Sequence, residues 1–174
     1  GFVNMSTIPE TDSRPAQHCE GQSHLFEQIE RTIHWQALED LPAWTVEQAI
    51  AIQQIPAPTF AERERAEYVA EQFRALGLAQ VSIDELYNVY GLLAGKQPDA
   101  PAVMISAHTD TVFPQNADLT IRRDGELIYG PGLGDNSVGV AGVLALVEAL
   151  RRERITPERN LWIVAPSREE GLGN

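Results

Sequence analysis

Two short apolar runs constrain this chain more than any other feature. Ala102-Val103-Met104-Ile105-Ser106-Ala107 and Leu161-Trp162-Ile163-Val164-Ala165 are continuous, unlike the alternating pattern of a half-exposed strand. Runs of this kind mark strands buried on both faces, which occur where helices cover a sheet. Helical patterns surround them. Ala61 to Leu76 places Ala66, Val69, Phe73 and Leu76 on one face, with Gly77 as the C-cap, and Ser137 to Arg154 is rich in Val, Ala and Leu. Helices alternating with buried strands predict an α/β layered domain around a mixed, largely parallel sheet.

The remaining elements are shorter. Leu25, Ile29, Ile33 and Leu38 fall near helical spacing from His24 to Leu41, with Pro42 read as the stop. A second helix is expected from Thr45, read as its N-cap, to about Gln54, broken by Ile55-Pro56-Ala57-Pro58. Val81-Ser82-Ile83 and Asn88 to Ala94 read as strands, and Leu119 to Tyr129 as a hairpin turning at Arg123-Asp124-Gly125. Residues 1–23 are polar, carry Pro9 and Pro15 and have no period, so a mobile arm is expected, its first four residues reading as an expression remnant before Met5. The rest, 24–174, is read as one domain.

Composition excludes some partners. The net charge of −12 and the lack of basic clusters argue against nucleic acid. No apolar run is read as approaching the roughly 20 residues of a membrane helix, and no signal segment opens the chain. The single Cys19 rules out an intrachain disulfide framework and suits a reducing compartment, so a cytoplasmic protein is expected.

Three groups carry chemistry, each at the end of an element. His108-Thr109-Asp110 follows the first buried run, where ligand-binding residues of open α/β sheets gather. His108 suits zinc and Asp110 could fix its ring, although a lone His-x-Asp is more often a hydrogen-bonded loop. Gly130-Pro131-Gly132-Leu133-Gly134-Asp135 opens the long helix. Its glycines let the backbone turn and press close to a neighbour, while Asp135 taken alone reads first as a helix cap. Glu169-Glu170-Gly171 follows the second buried run; such pairs are usually solvated, but here two carboxylates could divide metal binding from proton transfer. His18, Cys19 and His24 are read as parts of the polar arm rather than as a second metal site.

In combination and in this order, the three groups resemble the dinuclear zinc family of carboxypeptidase G, acetylornithine deacetylase, succinyl-diaminopimelate desuccinylase and bacterial di- and tripeptidases. The resemblance runs from about Trp44 to Asn174 and implies a three-layer α/β catalytic domain. It implies that His108, Asp135 and Glu170 bind two zinc ions (cobalt or manganese being alternatives), with Asp135 bridging them. Asp110 would orient His108, and Glu169 would be the general base toward a zinc-held hydroxide. The implied substrate is a small peptide or an N-acyl amino acid. Aminopeptidase, carboxypeptidase, dipeptidase and deacylase activities all stay open, with a lean to the peptidase branch. A catalytically silent zinc-binding fragment is the non-enzymatic alternative. A serine hydrolase is rejected because no Gly-x-Ser-x-Gly elbow exists. The family's lid and dimerisation domain, further carboxylate ligand and second zinc-binding histidine have no counterpart in these 174 residues, so an N-terminal portion of a homodimeric enzyme, inactive by itself, is expected.

Overall fold

A computed structural model of the chain describes His24 and residues 27–170. The expected arm, with His18 and Cys19, lies outside them, as do Gly171 and Gly173. Two compact units divide at His34–Trp35. In the first, residues 27–32 are helical, and Thr32 donates its hydroxyl to the Gln28 carbonyl.

The second unit begins with a 3₁₀ turn, Trp35–Leu38, and helix α1, Leu41–Gln53. Pro42 starts this helix where the sequence reading made it a stop. Proline is welcome in the first turn, whose N–H groups have no intrahelical acceptor. Thr45 consequently sits inside α1, its hydroxyl turned back to the Leu41 carbonyl at 2.7 Å instead of capping a start. Helix α2, Arg63–Ala75, ends at Gly77, whose φ of 79° is the left-handed conformation that closes a helix. Helix α3, Val138–Arg152, buries Val140, Ala141, Leu144 and Val147.

Strands β1 (Ala79–Ile83), β2 (Val89–Leu93), β3 (Val103–Ser106) and β6 (Leu161–Ala165) form one sheet in the order β1-β2-β6-β3. The α/β class and the mixed sheet are as expected, but the described sheet is not largely parallel. Only β3 with β6 is parallel, and β1–β2 and β2–β6 are antiparallel. Strands β4 (Arg122–Asp124) and β5 (Leu127–Tyr129) make the separate hairpin, turning through Gly125.

Helix α2 packs on β1 and β2, while α3 packs on β3 and α1. Ile52, Ala66, Val69, Phe73, Val89, Leu144 and Ile163 meet in the core. Helices α1 and α3 run antiparallel: Arg152 at the end of α3 pairs with Asp40 before α1, and Gln53 at the end of α1 donates to the Pro131 carbonyl just ahead of α3.

Two further expectations change. Strand β6 is buried as its apolar run implies, but β3 is not: Val103 is 47% and Met104 64% exposed. Strand β3 ends the sheet order, and among the described residues nothing covers that side. Secondly, Leu133–Arg152 is by length and mean hydropathy apolar enough to cross a membrane. One face of it, however, with Val140, Ala141, Leu144 and Val147, fills the core between α1 and the sheet, while Val138 and Leu146 are exposed, as in an amphipathic helix of a layered domain.

Candidate functional site

Strand β3 delivers His108 to a point where three segments converge. Its neighbour β6 delivers Glu169 and Glu170, because the two strands are parallel and end together, with Ser106 opposite Val164. Asp135 arrives from the turn Leu133–Ser137 ahead of α3. Gly132, at φ 69°, opens that turn, and a Cβ there would stand 2.9 Å from Thr111 Cγ2. The glycine-rich loop is thereby pressed onto the His108–Thr111 loop, the kind of close approach its glycines suggest.

His108, Asp135 and Glu170 each offer a ligand atom, and these atoms all lie within 4.8 Å of one another. His108 Nδ1 lies 3.1 Å from the Asp110 carbonyl oxygen and 3.5 Å from Asp110 Oδ1. Two acceptors on that side favour a proton on Nδ1. Nε2 then faces Asp135 Oδ1 at 3.1 Å and Glu169 Oε2 at 3.7 Å. A bare imidazole nitrogen facing carboxylate oxygens is repulsive, so a second proton or a metal cation belongs between them. Asp135 is not the helix cap that was its alternative reading. Ser137 occupies the N-cap of α3, and the Asp135 side chain, 77% exposed, reaches to His108 instead.

Asp110 is fully buried, and its carboxylate does more than face a histidine. Oδ1 accepts the Glu169 N–H at 2.9 Å, and Oδ2 accepts the Glu170 N–H at 2.9 Å and the Thr59 hydroxyl at 2.8 Å. The preceding residues are held likewise: Ser167 N–H donates to Asn88 Oδ1 at 2.8 Å and Arg168 N–H to Glu62 Oε1 at 3.3 Å. All four successive N–H groups from 167 to 170 therefore end on side chains. Arg65, also buried, donates to the Ile55 and Thr109 carbonyls and clamps the proline segment to the histidine loop. Burial pulls its guanidinium down to about 10, against the opposing charge of Asp110. Glu170 moves the other way: partial desolvation, then the charges of Asp135 and Glu169, raise its carboxyl above the usual range.

Thr59, Glu62, Arg65 and Asn88 were not singled out from sequence. Glu62-Arg63-Glu64-Arg65 looks like a solvated charge run, yet Glu62 and Arg65 stand three apart, in line with Ala66, Val69 and Phe73. That spacing was the available signal.

Comparison with known proteins bears on the family and the fold. The model of Peptidase family M28 matches residues 88–173, a span containing His108, Asp110, Asp135, Glu169 and Glu170. Peptidase T of Aeromonas hydrophila is 26% identical over 146 residues, covering 62% of this chain and 35% of that protein. N-carbamoyl-L-amino-acid amidohydrolase of a Pseudomonas species is 31% identical over 110 residues, covering 63% of this chain and 22% of its own length. The crystal structure of a tripeptidase from Staphylococcus aureus superposes with a TM-score of 0.64 at 26% identity, over 75% of this chain and 38% of that one. The chain thus spans about a third or less of the curated relatives it matches. Over residues 88–173 it matches the peptidase family model, and over the aligned stretches it is similar to peptidases and to an amidohydrolase.

Proposed function

We propose that this chain carries the metal-binding part of a zinc-dependent hydrolase of peptide or amide bonds. The convergence of His108 Nε2, Asp135 and Glu170 within 4.8 Å, with Glu169 alongside, is the observation that supports it. An imidazole with carboxylates suits zinc, with cobalt or manganese as substitutes. Among the described residues no Lys or Arg forms an ion pair with Asp135, Glu169 or Glu170, so the cluster fits a bound cation. Two ions per protein are proposed, which His108, Asp135 and Glu170 would help to hold, with the enzyme's remaining ligands lying outside these residues.

Bound zinc would supply Lewis acidity toward the scissile carbonyl and bring the pKa of an attacking water to about 7. The protein's own part is proton handling and placement. Glu169, exposed to 60% and without a strong partner, takes the water's proton and delivers it to the leaving nitrogen. His108 is oriented through Nδ1 by Asp110. Asp110 also fixes the backbone of both glutamates, so its role as a positioning residue extends to the base itself. The relatives' names support peptides as substrates, and the carbamoyl amidohydrolase favours N-acyl or N-carbamoyl amino acids as a second reading. Cytoplasmic location and assembly as a homodimer belong to the same proposal.

The test is metal content and hydrolysis of a panel of dipeptides, tripeptides and N-acyl amino acids by the complete protein, with Glu169→Gln beside it. About two zinc ions and a 10²–10⁴-fold loss of activity in the variant, zinc retained, are expected. Full activity in Glu169→Gln would refute the proton-transfer role, and absence of metal the zinc assignment.

A further inference from the structure

Glu62 is a buried acid with an unusual set of partners. It has no exposed surface, stands at the N-cap of α2, and forms no ion pair among the described residues. Its Oε1 accepts two backbone N–H groups, from Phe60 at 2.9 Å and from Arg168 at 3.3 Å. Its Oε2 is buried without a partner. A carboxylate removed from water without a cation is costly, so stability alone gives no reason for a glutamate here.

What the two bonds join gives the reason. Phe60 follows Thr59, whose hydroxyl holds Asp110 Oδ2, and Arg168 precedes the two glutamates of the site. One oxygen of Glu62 thus ties the segment that supports Asp110 to the loop that carries Glu169 and Glu170. Among the described residues that loop has no ladder partner of its own. Asn88 fixes its entry and Asp110 its exit, while Glu62 takes the backbone N–H in the middle, where the Arg168 guanidinium also lies over the Phe60 ring at 5.0 Å.

We propose that Glu62 is a positioning residue for the metal site, setting where Glu170 stands relative to His108 and Asp135 through the Arg168 N–H. The inference rests on the zinc reading above. It implies that the affinity for zinc depends on Glu62 although no atom of Glu62 is a ligand. It also implies that the acceptor oxygen matters while the negative charge does not.

The experiment is zinc affinity of the complete protein, read by competition with a chromophoric chelator, for wild type, Glu62→Ala, Glu62→Gln, Glu62→Asp and Val147→Ala. Glu62→Ala, which strands both N–H groups, should bind zinc about 10–100-fold more weakly, the usual effect of losing a partner behind the ligands. Glu62→Gln keeps an oxygen in place and should bind like wild type. Glu62→Asp is one methylene too short to reach both N–H groups and should fall between. Val147→Ala, a core truncation in α3, should lower thermal stability without changing zinc affinity. Equal affinity in Glu62→Ala and wild type would overturn the proposal, as would a Gln variant as weak as the Ala variant. Should Glu62→Ala fail to fold, Glu62→Asp decides: weaker binding than Glu62→Gln supports positioning, and equal binding overturns it. A wild type that binds no zinc would overturn the functional reading itself, an outcome visible before any variant is compared.

Discussion

Asp110→Asn offers a test in which two opposed effects can be weighed. Three hydrogen bonds enter the carboxylate, from Thr59 and from the backbone of Glu169 and Glu170, all at 2.8–2.9 Å. An asparagine can present oxygen on one side only. With its oxygen in the Oδ2 place it keeps two bonds and turns an NH₂ group toward the Glu169 N–H. One hydrogen bond to a charged group is then lost, about 1.5–3 kcal/mol, and the two that remain become neutral ones, weaker by roughly 0.5–1 kcal/mol each. Against this stands relief from burying a full charge, which in some proteins makes such replacements neutral or stabilising. Here the carboxylate accepts three donors and Arg65 lies close enough to feel its charge, so the losses should win. A net destabilisation of about 2–4 kcal/mol is expected, or roughly 5–15 °C in Tm for a protein of this size. Thermal unfolding followed by circular dichroism in excess chelator measures it without interference from metal. A variant that melts within about 2 °C of wild type, or above it, would show that burial of the charge outweighs its bonds, and the reasoning about Asp110 would fail.

Three other outcomes follow from the same structure. In metal-free protein the raised Glu170 carboxyl makes its charge unfavourable, so wild type should lose stability as pH rises from the ordinary carboxylate range through the raised value, while Glu170→Gln should be more stable above that range and bind zinc more weakly; unfolding midpoints with chelator, against pH, check the sign. At Asp84, burial pushes the carboxyl up, but hydrogen bonds from Asn88, Leu86 and Tyr90 outweigh it and hold the group low. Its contribution is therefore present above the unfolded value of about 3.9 and lost as pH falls through the folded one, so urea midpoints of wild type and Asp84→Asn should differ at neutral pH and converge in acid. Gly95→Ala would set a Cβ 2.2 Å from the Arg159 carbonyl carbon, a backbone atom that cannot swing aside, and should cost about 3 kcal/mol in chemical denaturation; a loss under about 1 kcal/mol would mean that the 95–97 and 158–160 segments separate easily.

What the sequence disclosed of this fold depended on how local the cause was. Helix α3 and strand β6 were legible because burial imposes an unbroken apolar run, and the groups at their ends followed from where a sheet presents its strand ends. Pro42 misled because the same residue stops a helix from inside and starts one from its first turn, and only the structure tells which side it stands on. The β3 run is as apolar as β6, yet it lies at the end of the sheet order, a matter of partners that a run of residues does not record. Glu62 and Arg65 stayed hidden because charge was read before position. Taken by spacing, residues 62, 65, 66, 69 and 73 form one stripe, and its two charged members are the ones that bind neighbouring loops.

The two kinds of acid in this site answer to different forces. Asp110 and Glu62 are sealed from water and accept backbone N–H groups, Asp110 with both oxygens and Glu62 with Oε1, so they act as fixed acceptors that shape two loops. Asp135 and Glu169 are largely exposed, and Glu170 stands beside them. Without a cation these three repel one another and crowd the imidazole nitrogen, which is a reason for a protein to keep them apart. They are brought together nonetheless: Asp135 comes from the turn ahead of α3, and the two glutamates from a loop whose every N–H from 167 to 170 is anchored from behind. Rigid support on one side and unrelieved negative charge on the other is the arrangement that the proposed metal site requires, in which the repulsion met during folding would be offset by binding of the ion.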